Sequence, residues 1–406
     1  MATVLGYTSP ALGHMSPMSA LLCELQRRGH EIHLRTLSTA VGCARNYGFH
    51  AQPIDPRIEA IAIDDWRSRT RSGALKRGVG AFGKRAVHEV PDLSGAIEAC
   101  RPDFLLIDIN CWGGLAQAES AGLPWASFAP YVPPLRAVGL PPFGPGLRPR
   151  AGLAGRVRDA ALNATLTRSV ENVVLPPISA IRDRLGLPAL TTVDAVLRRA
   201  PLMLIASGMP FQYPGTEWGE GVHLIGPCIQ QPDSTPQPDW LAAISRPIVL
   251  VTTSSEKQAD EELVSTAAAA LADEPVHVVA TMPSGIPPSI ASSSHVTIAE
   301  FLPHGMVLDR AVCAITHGGM GATQKALARG VPVCVVPYGR DQFEVARRVE
   351  VARCGTRLPA PKLTSARLKA KVHQAMGMTS GARRVADGFE ATGGVAHGAD
   401  LIEAAI

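Results

Sequence analysis

The sequence predicts an α/β protein built from two Rossmann-like, doubly wound domains that face one cleft. Three observations lead there. At 406 residues the chain is too long for one ordinary core, so two domains of usual size are expected. Two well-separated segments open in the same way, each as apolar strand, loop, amphipathic helix and second strand. Residues 314–355 then read as strand, glycine-rich turn, helix and strand, which is a parallel βαβ unit.

The first segment is ATVLGYTSPALGHMSPMSALLCELQRRGHEIHLRT. It predicts a strand at 3–7, a loop holding Gly13-His14, a helix over 16–28 and a strand at 31–35. Met18, Leu21, Leu22 and Leu25 recur at helical spacing, and Gly29 is placed to end the helix. A later apolar run, Phe104-Leu105-Leu106-Ile107, ends in Asp108. Residues 129–152 are dense in proline (Pro130, Pro133, Pro134, Pro141, Pro142, Pro145, Pro149), which excludes regular structure and suggests a loop lining the N-domain cleft.

The second opening is RPIVLVTTSSEKQADEELVSTAAAALADEPVHVVATM, with strands at 248–252 and 276–280 around a helix that runs through Ala270. Polar, proline-rich residues before it read as an interdomain linker. Residues 387–406 look mostly helical after Gly394. The expected division is an N-terminal Rossmann-like domain at 1–227, a linker at 228–240, a C-terminal Rossmann-like domain at 241–386 and a helical tail at 387–406.

Composition excludes several classes. Hydrophobic residues make up 46% and charged residues 18%, which suits a packed globular protein. The net charge of +4 is scattered, so nucleic acid is not implied, and Arg148, Arg150, Arg156 and Arg158 read as a solvated loop and helix face. None of the eight cysteines falls in a C-x-x-C pair, as expected for reduced thiols. The chain opens on a strand without a charged leader, and no run approaches the ~20 apolar residues that span a bilayer. These features lead us to expect a soluble, cytoplasmic protein. The first strand leads into Y-T-S-P-A-L-G-H rather than G-x-G-x-x-G, which argues against a dinucleotide-dependent dehydrogenase.

In residues 314–355 an apolar strand ends in His317, and Gly318, Gly319 and Gly321 lead into a helix. Free backbone N–H groups at a helix start suit a phosphate. The next strand ends near Asp341-Gln342, whose side chains suit hydroxyls. Phosphate beside hydroxyls suggests a nucleotide sugar. His317, Gly319, Gly321, Thr323, Ala326-Leu327, Gly330-Val331-Pro332, Pro337, Asp341-Gln342 and Gly355 together resemble the donor signature of GT-B fold, nucleotide-sugar-dependent glycosyltransferases. The nearest type is the bacterial macrolide and natural-product group, related to the UDP-glycosyltransferases.

The resemblance implies a set of roles. A hydroxyl attacking an anomeric carbon must lose a proton, and histidine suits that task near neutral pH. His14 and Asp108, in GHMSP and LLIDIN, match the family's catalytic base and its orienting acid. His317, Gly319, Gly321, Ala322 and Thr323, with Ser254 and Ser255 after the second domain's first strand, would hold the diphosphate. The two serines read equally well as caps of the next helix. Phe301, Leu302, His304 and Lys325 would meet nucleobase and ribose, though Phe301 also suits a core. Asp341 and Gln342 would bind the sugar. Phe128, Tyr131 and Phe143 would line an apolar acceptor pocket, or simply pack within the loop.

Two positions depart from the family pattern. Lys325 stands where many relatives carry a glutamate that accepts from ribose hydroxyls, so either ribose binding is altered or the nucleotide lacks the 2'-hydroxyl, as a thymidine nucleotide does. Ala322 stands where a phosphate-contacting hydroxyl is common. No D-x-D pair occurs, so no metal is expected at the diphosphate, and direct displacement implies inversion. The expected activity is transfer of a sugar from a UDP- or TDP-sugar co-substrate, without a cofactor, to a hydroxyl of a polyketide, macrolide or flavonoid. A lipid or sterol acceptor, a non-catalytic donor-binding partner and an epimerase are the competing readings. A monomer or homodimer without membrane insertion is expected.

Overall fold

The computed structural model describes residues 1–229 and 236–406. Among the described residues, thirteen parallel strands form two sheets. The first holds β1 (Thr3–Tyr7), β2 (Glu31–Thr36), β3 (His50–Pro53), β4 (Phe104–Asp108), β5 (Trp125–Ala129), β6 (Leu202–Ile205) and β7 (Val222–Leu224). Its order is β3-β2-β1-β4-β5-β6-β7. The second holds β8 (Ile248–Thr252), β9 (His277–Thr281), β10 (Val296–Ala299), β11 (Ala311–Thr316), β12 (Val333–Val335) and β13 (Gly355–Arg357), in the order β10-β9-β8-β11-β12-β13.

Both sheets therefore repeat one winding, in which the first strand lies between the second and the fourth. Such a sheet reverses direction at that central pair, leaving a crevice beyond the strands' carboxyl ends. In the first sheet the crevice lies between β1 and β4. In the second it lies between β8 and β11.

Why these segments become buried parallel strands is legible in their residues. Leu105 to Ile107 and Val249 to Val251 are covered on both faces, and continuous apolar runs rather than alternating ones result. Helices Leu12–Arg27 and Arg71–Cys100 flank the first sheet, their apolar residues filling clusters around Leu21, Leu22 and Leu25 on one face and Leu93 on the other.

Local structure departs from expectation in several places. The first helix starts at Leu12, four residues early, so His14 sits in its first turn rather than in a loop. Pro17 is tolerated inside it because only one N–H is lost near the free end of the hydrogen-bond ladder. Of the linker expected at 228–240, residues 230–235 lie outside the described residues. Its last part is helix Asp239–Ala243, whose Leu241 is buried in the second half's core.

The tail expected from 387 instead begins inside helix Thr379–Ala391, which packs on the second sheet through Val385 and Phe389. The chain then turns at Gly393 and Gly394 (φ 93° and 59°), and helix Gly394–Glu403 returns to the first half. Ala399 and Ile402 enter the core cluster of Leu21. Arg28 adds ion pairs to Asp400 and Glu403, but exposed pairs contribute about 0–1 kcal/mol each. Burial of Ile402 contributes about 1.5–3 kcal/mol and is the larger part of this docking.

Candidate functional site

One cavity of about 2110 Å³ runs between the two halves and collects the carboxyl ends of both sheets. His14 is drawn in from the turn after β1, and Asp108 closes β4, the neighbouring strand across the first switch point. Their side chains meet, His14 Nδ1 lying 2.7 Å from Asp108 Oδ2. Asp108 is fully buried, while His14 keeps 17% of its side chain exposed to the cleft. A buried carboxylate favours N–H on Nδ1 and leaves Nε2 as the lone pair that takes a proton. Burial alone would lower the pKa of His14, but the charge and hydrogen bond of Asp108, with Asp341 and Glu256 opposite, raise it above 6.5.

Asn110 was missed in the sequence although it stands two residues beyond Asp108. Its backbone N–H donates to Asp108 Oδ1 at 2.8 Å, and its amide nitrogen lies 3.3 Å from His14 Nε2.

The second switch point builds the opposite wall. β11 delivers His317, and Gly318 (φ +96°) turns the chain into helix Met320–Leu327. A Cβ on Gly319 would lie 2.4 Å from His317 Nε2, so any larger residue here would force the imidazole to shift. The N–H groups of Met320, Gly321 and Ala322 begin the helix without intrahelical partners, and these residues line the cleft. His317 Nδ1 is 3.4 Å from the Thr252 carbonyl and 4.0 Å from Asp260 Oδ2. Burial lowers its pKa despite Asp260, so in the free protein the positive potential here comes from backbone N–H groups rather than from an imidazolium.

Two expected site residues turn away from the cleft. Thr323 is fully buried, and its hydroxyl pairs with Thr316 at 3.1 Å, tying helix to strand instead of facing a phosphate. Phe128 is buried in β5 against the Leu21 cluster and lines no acceptor pocket. Tyr131 and Phe143 do line the cleft, as do Leu302, His304, Lys325, Asp341 and Gln342.

Ser254 and Ser255 also line it, and neither caps a helix, since the next one, Glu262–Ala270, begins seven residues later. Ser254 Oγ accepts from the Glu256 N–H at 3.1 Å and from Gln258 Nε2 at 3.0 Å, which leaves its own hydrogen to donate. Phe301 is 75% exposed on the cleft edge, so a core role is excluded. His304 bonds Thr281 Oγ1 at 3.0 Å, its Nδ1 is buried without a partner, and burial first, then Lys325, pushes its pKa down to about 3. The Lys325 amine has no acidic partner among the described residues and is pushed down by burial, then by Arg329.

Gln342 is largely committed within the protein. Its Oε1 accepts from the N–H groups of Tyr338 and Gly339, and its Nε2 bonds Gln258 Oε1, so one amide hydrogen is left for a ligand. Asp341 is half-buried with no side-chain partner among the described residues, and desolvation carries its pKa to about 6 against its own backbone N–H, Arg340 and His14. Glu256 is a further half-buried carboxylate on this wall, raised by burial against Arg340 and Arg85.

The proline-rich loop of residues 129–152 crosses the cleft. Glu344 Oε1 accepts from the N–H groups of Gly144 and Gly146, each at 2.9 Å, and Arg347 donates to the Gly146 carbonyl at 2.7 Å. This loop, with Phe82, Trp112, Leu115, Val174 and Ile178, gives the N-terminal side an apolar floor. Helix Arg168–Arg184 and the π-turn Asn163–Thr167 before it close that side. Among the described residues, one side-chain group with metal-ligand spacing occurs, Glu31, His33 and His50, at the amino ends of β2 and β3 and outside the cleft.

Residues 262–392 match the family described as erythromycin biosynthesis protein CIII-like, C-terminal domain. The chain is similar to 4'-demethylrebeccamycin synthase of Lentzea aerocolonigenes, at 29% identity over 420 positions that cover 99% of each protein. The solved structure of the glycotransferase of kitacinnamycin superposes with a TM-score of 0.76 at 21% identity, covering 100% of this chain and 99% of that one. Spinosyn rhamnosyltransferase SpnG, complexed with thymidine diphosphate, superposes with a TM-score of 0.72 at 19% identity over 99% of this chain and 100% of its own.

Proposed function

We propose that this chain, similar in sequence and in fold to natural-product glycosyltransferases, is an inverting, metal-independent O-glycosyltransferase of the GT-B type for an apolar small molecule. The donor is a nucleoside diphosphate sugar, with thymidine diphosphate favoured over uridine diphosphate. The observation that carries this reading is the His14–Asp108 pair, 2.7 Å apart at the apolar wall, with the free N–H groups of the Met320 helix in the wall of the same cleft.

In this reading the acceptor hydroxyl rests on the apolar floor with its hydrogen toward His14 Nε2. Its oxygen attacks the anomeric carbon from the face opposite the diphosphate. The O–H proton passes to Nε2, the bond from carbon to the diphosphate oxygen breaks, and that oxygen keeps the electron pair. The imidazolium is stabilised by Asp108, and the departing charge by the N–H groups of Met320, Gly321 and Ala322. Asp341, Gln342 and Glu256 offer hydrogen-bonding groups to the sugar. Phe301 offers a stacking face for the base, and the unpaired Nδ1 of His304 offers a polar contact beside it.

Lys325 favours thymidine because an ammonium cannot accept from a ribose hydroxyl pair, whereas a 2'-deoxyribose asks for less. The spinosyn neighbour's thymidine diphosphate agrees with this choice. A thermal-shift screen of UDP- and TDP-sugars identifies the donor, because a ligand bound only by the folded protein raises its melting temperature. Acceptor libraries are then assayed with that donor by mass spectrometry. Loss of transfer in His14→Ala supports the mechanism, and unchanged transfer refutes it.

A lipid acceptor is the second reading, favoured by Leu153 (77% exposed) and Val157 (61%) beside the exposed Arg148, Arg150 and Arg156. Co-sedimentation with anionic liposomes separates it from the first.

A further inference from the structure

Asn110 reaches the nitrogen of His14 that Asp108 does not. Its amide nitrogen lies 3.3 Å from His14 Nε2, and its Oδ1 accepts from the Tyr131 hydroxyl at 2.7 Å. The Tyr131 ring also stands edge-on to the imidazole, with centroids 5.8 Å apart and planes at 62°. All three side chains line the cleft.

An amide has one accepting end and one donating end. Burial pushes the Tyr131 phenol up, so it keeps its proton and donates. With Oδ1 taken by that phenol, the NH2 end of Asn110 faces His14. An N–H there needs a lone pair, and only a ring with its hydrogen on Nδ1 offers one at Nε2. Asp108 selects the same tautomer from the other side.

We infer that Asn110, held by Tyr131, is a positioning residue that fixes His14 in its proton-accepting tautomer and keeps the acceptor hydroxyl's place at Nε2 until the acceptor arrives. The inference rests on the base role proposed for His14.

Asp108 and Asn110 agree on the tautomer but oppose each other on charge. Asp108 stabilises both the Nδ1–H tautomer and the imidazolium. Asn110 stabilises only the neutral ring, because an imidazolium Nε2–H would meet its N–H head-on. The other charged groups facing His14 are Asp341 and Glu256 of the C-terminal half, and both favour the imidazolium. Arg85 and Arg340 stand near Glu256 and temper it. Tyr131 is the remaining titratable neighbour, packed edge-on against the ring.

The test is NMR titration of the histidine ring nitrogens in the full-length protein, comparing wild type with Asn110→Ala and Tyr131→Phe. Asn110→Ala keeps the backbone N–H on Asp108 and removes the Nε2 contact together with the acceptor of the Tyr131 hydroxyl. The His14 pKa is expected to rise by about 0.5 or more, with the Nε2–H tautomer gaining population. Tyr131→Phe frees the amide to turn and moves both readings the same way by less. In transfer assays the acid limb of kcat/KM rises with the pKa.

If both readings stay at wild-type values in the folded variants, the inference is overturned. A fall in kcat with an unmoved pKa overturns it too, since lost packing alone produces that. Should Asn110→Ala not fold, Tyr131→Phe decides. The titration needs neither donor nor acceptor, so its outcome is separate from whether the protein transfers sugar.

Discussion

Arg340 grips Asp65 across the cleft in a two-bonded ion pair, Nε to Oδ2 at 2.9 Å and Nη2 to Oδ1 at 2.8 Å. The two come from opposite halves of the molecule, and Arg340 immediately precedes Asp341 at the start of helix Gln342–Val351. Neighbouring contacts reinforce the pair. The Lys257 amine lies 5.5 Å from the centroid of the Trp66 ring, and the Arg71 guanidinium 4.8 Å from that of Phe343. Residues 65–71 thus latch the N-terminal half to the start of helix Gln342–Val351, beside Asp341, and to the segment after β8.

Loosening this latch should cost affinity more than chemistry. Asp65→Asn keeps the shape but removes the charge, and the pair is only partly exposed, so its loss is expected to exceed the ~1 kcal/mol of a surface bridge. The expected result is a several-fold higher KM for the nucleotide sugar with a smaller change in kcat. Steady-state kinetics with the donor varied reads both numbers.

Removing the base should do the reverse. His14→Ala is expected to lower kcat by about 10²–10⁴-fold while donor binding persists, because the N–H groups of the Met320 helix are untouched. Asp108→Asn loses the charge that stabilises the imidazolium and is expected to fall in the same range. Since Asp108 and its neighbours raise the pKa of His14 above 6.5, the base is neutral only above that raised value. The acid limb of kcat/KM should therefore lie above 6.5 and move down in Asp108→Asn if residual activity permits its measurement.

Lys325 offers a specificity test. Lys325→Glu restores an acceptor toward ribose hydroxyls and is expected to shift the preference from TDP- toward UDP-sugars by about tenfold, the equivalent of one hydrogen bond to a charged group. Competition between the two donors, read by product mass, checks it. An unchanged ratio would sink the ribose argument.

Much of this arrangement was legible because it follows from strand ends. Asp108 and His317 terminate apolar runs, and parallel sheets place such residues at the ligand edge whatever else the chain does. Phe128 shows where that reasoning stops: β5 is buried on both faces, so nothing in its pattern says which side a residue takes. Thr323 was decidable. Residues 322, 325 and 329 line the cleft at helical spacing, while 323, 326 and 327 are buried, so the helix phase alone turns Thr323 inward. Asp65 with Arg340, and Gly144 with Glu344, were not decidable. Their partners are far apart in sequence, and no local period links them.

A last prediction concerns the carboxyl behind the base. Glu89, on helix Arg71–Cys100, is buried and accepts from the N–H groups of Gly113 and Gly114 at 2.8 and 3.4 Å. Gly113 permits this, since a Cβ there would lie 2.0 Å from the Ala86 carbonyl oxygen. Burial carries the Glu89 pKa to about 8 from 4.5, although both backbone donors and Arg85 oppose the rise. The folded protein therefore keeps a proton that the unfolded chain gives up. That contribution to stability is complete below pH 4.5, fades as pH rises from there, and is gone above about 8. The loss is on the order of a few kcal/mol, since each tenfold difference in proton affinity between the folded and unfolded chain is worth roughly 1.4 kcal/mol. Glu89→Gln cannot ionise and still offers an oxygen to Gly113. Its melting temperature should sit at or below that of wild type near pH 5 and above it at pH 9. A constant gap between the two melting temperatures across that range would instead mean that Glu89 ionises as readily folded as unfolded.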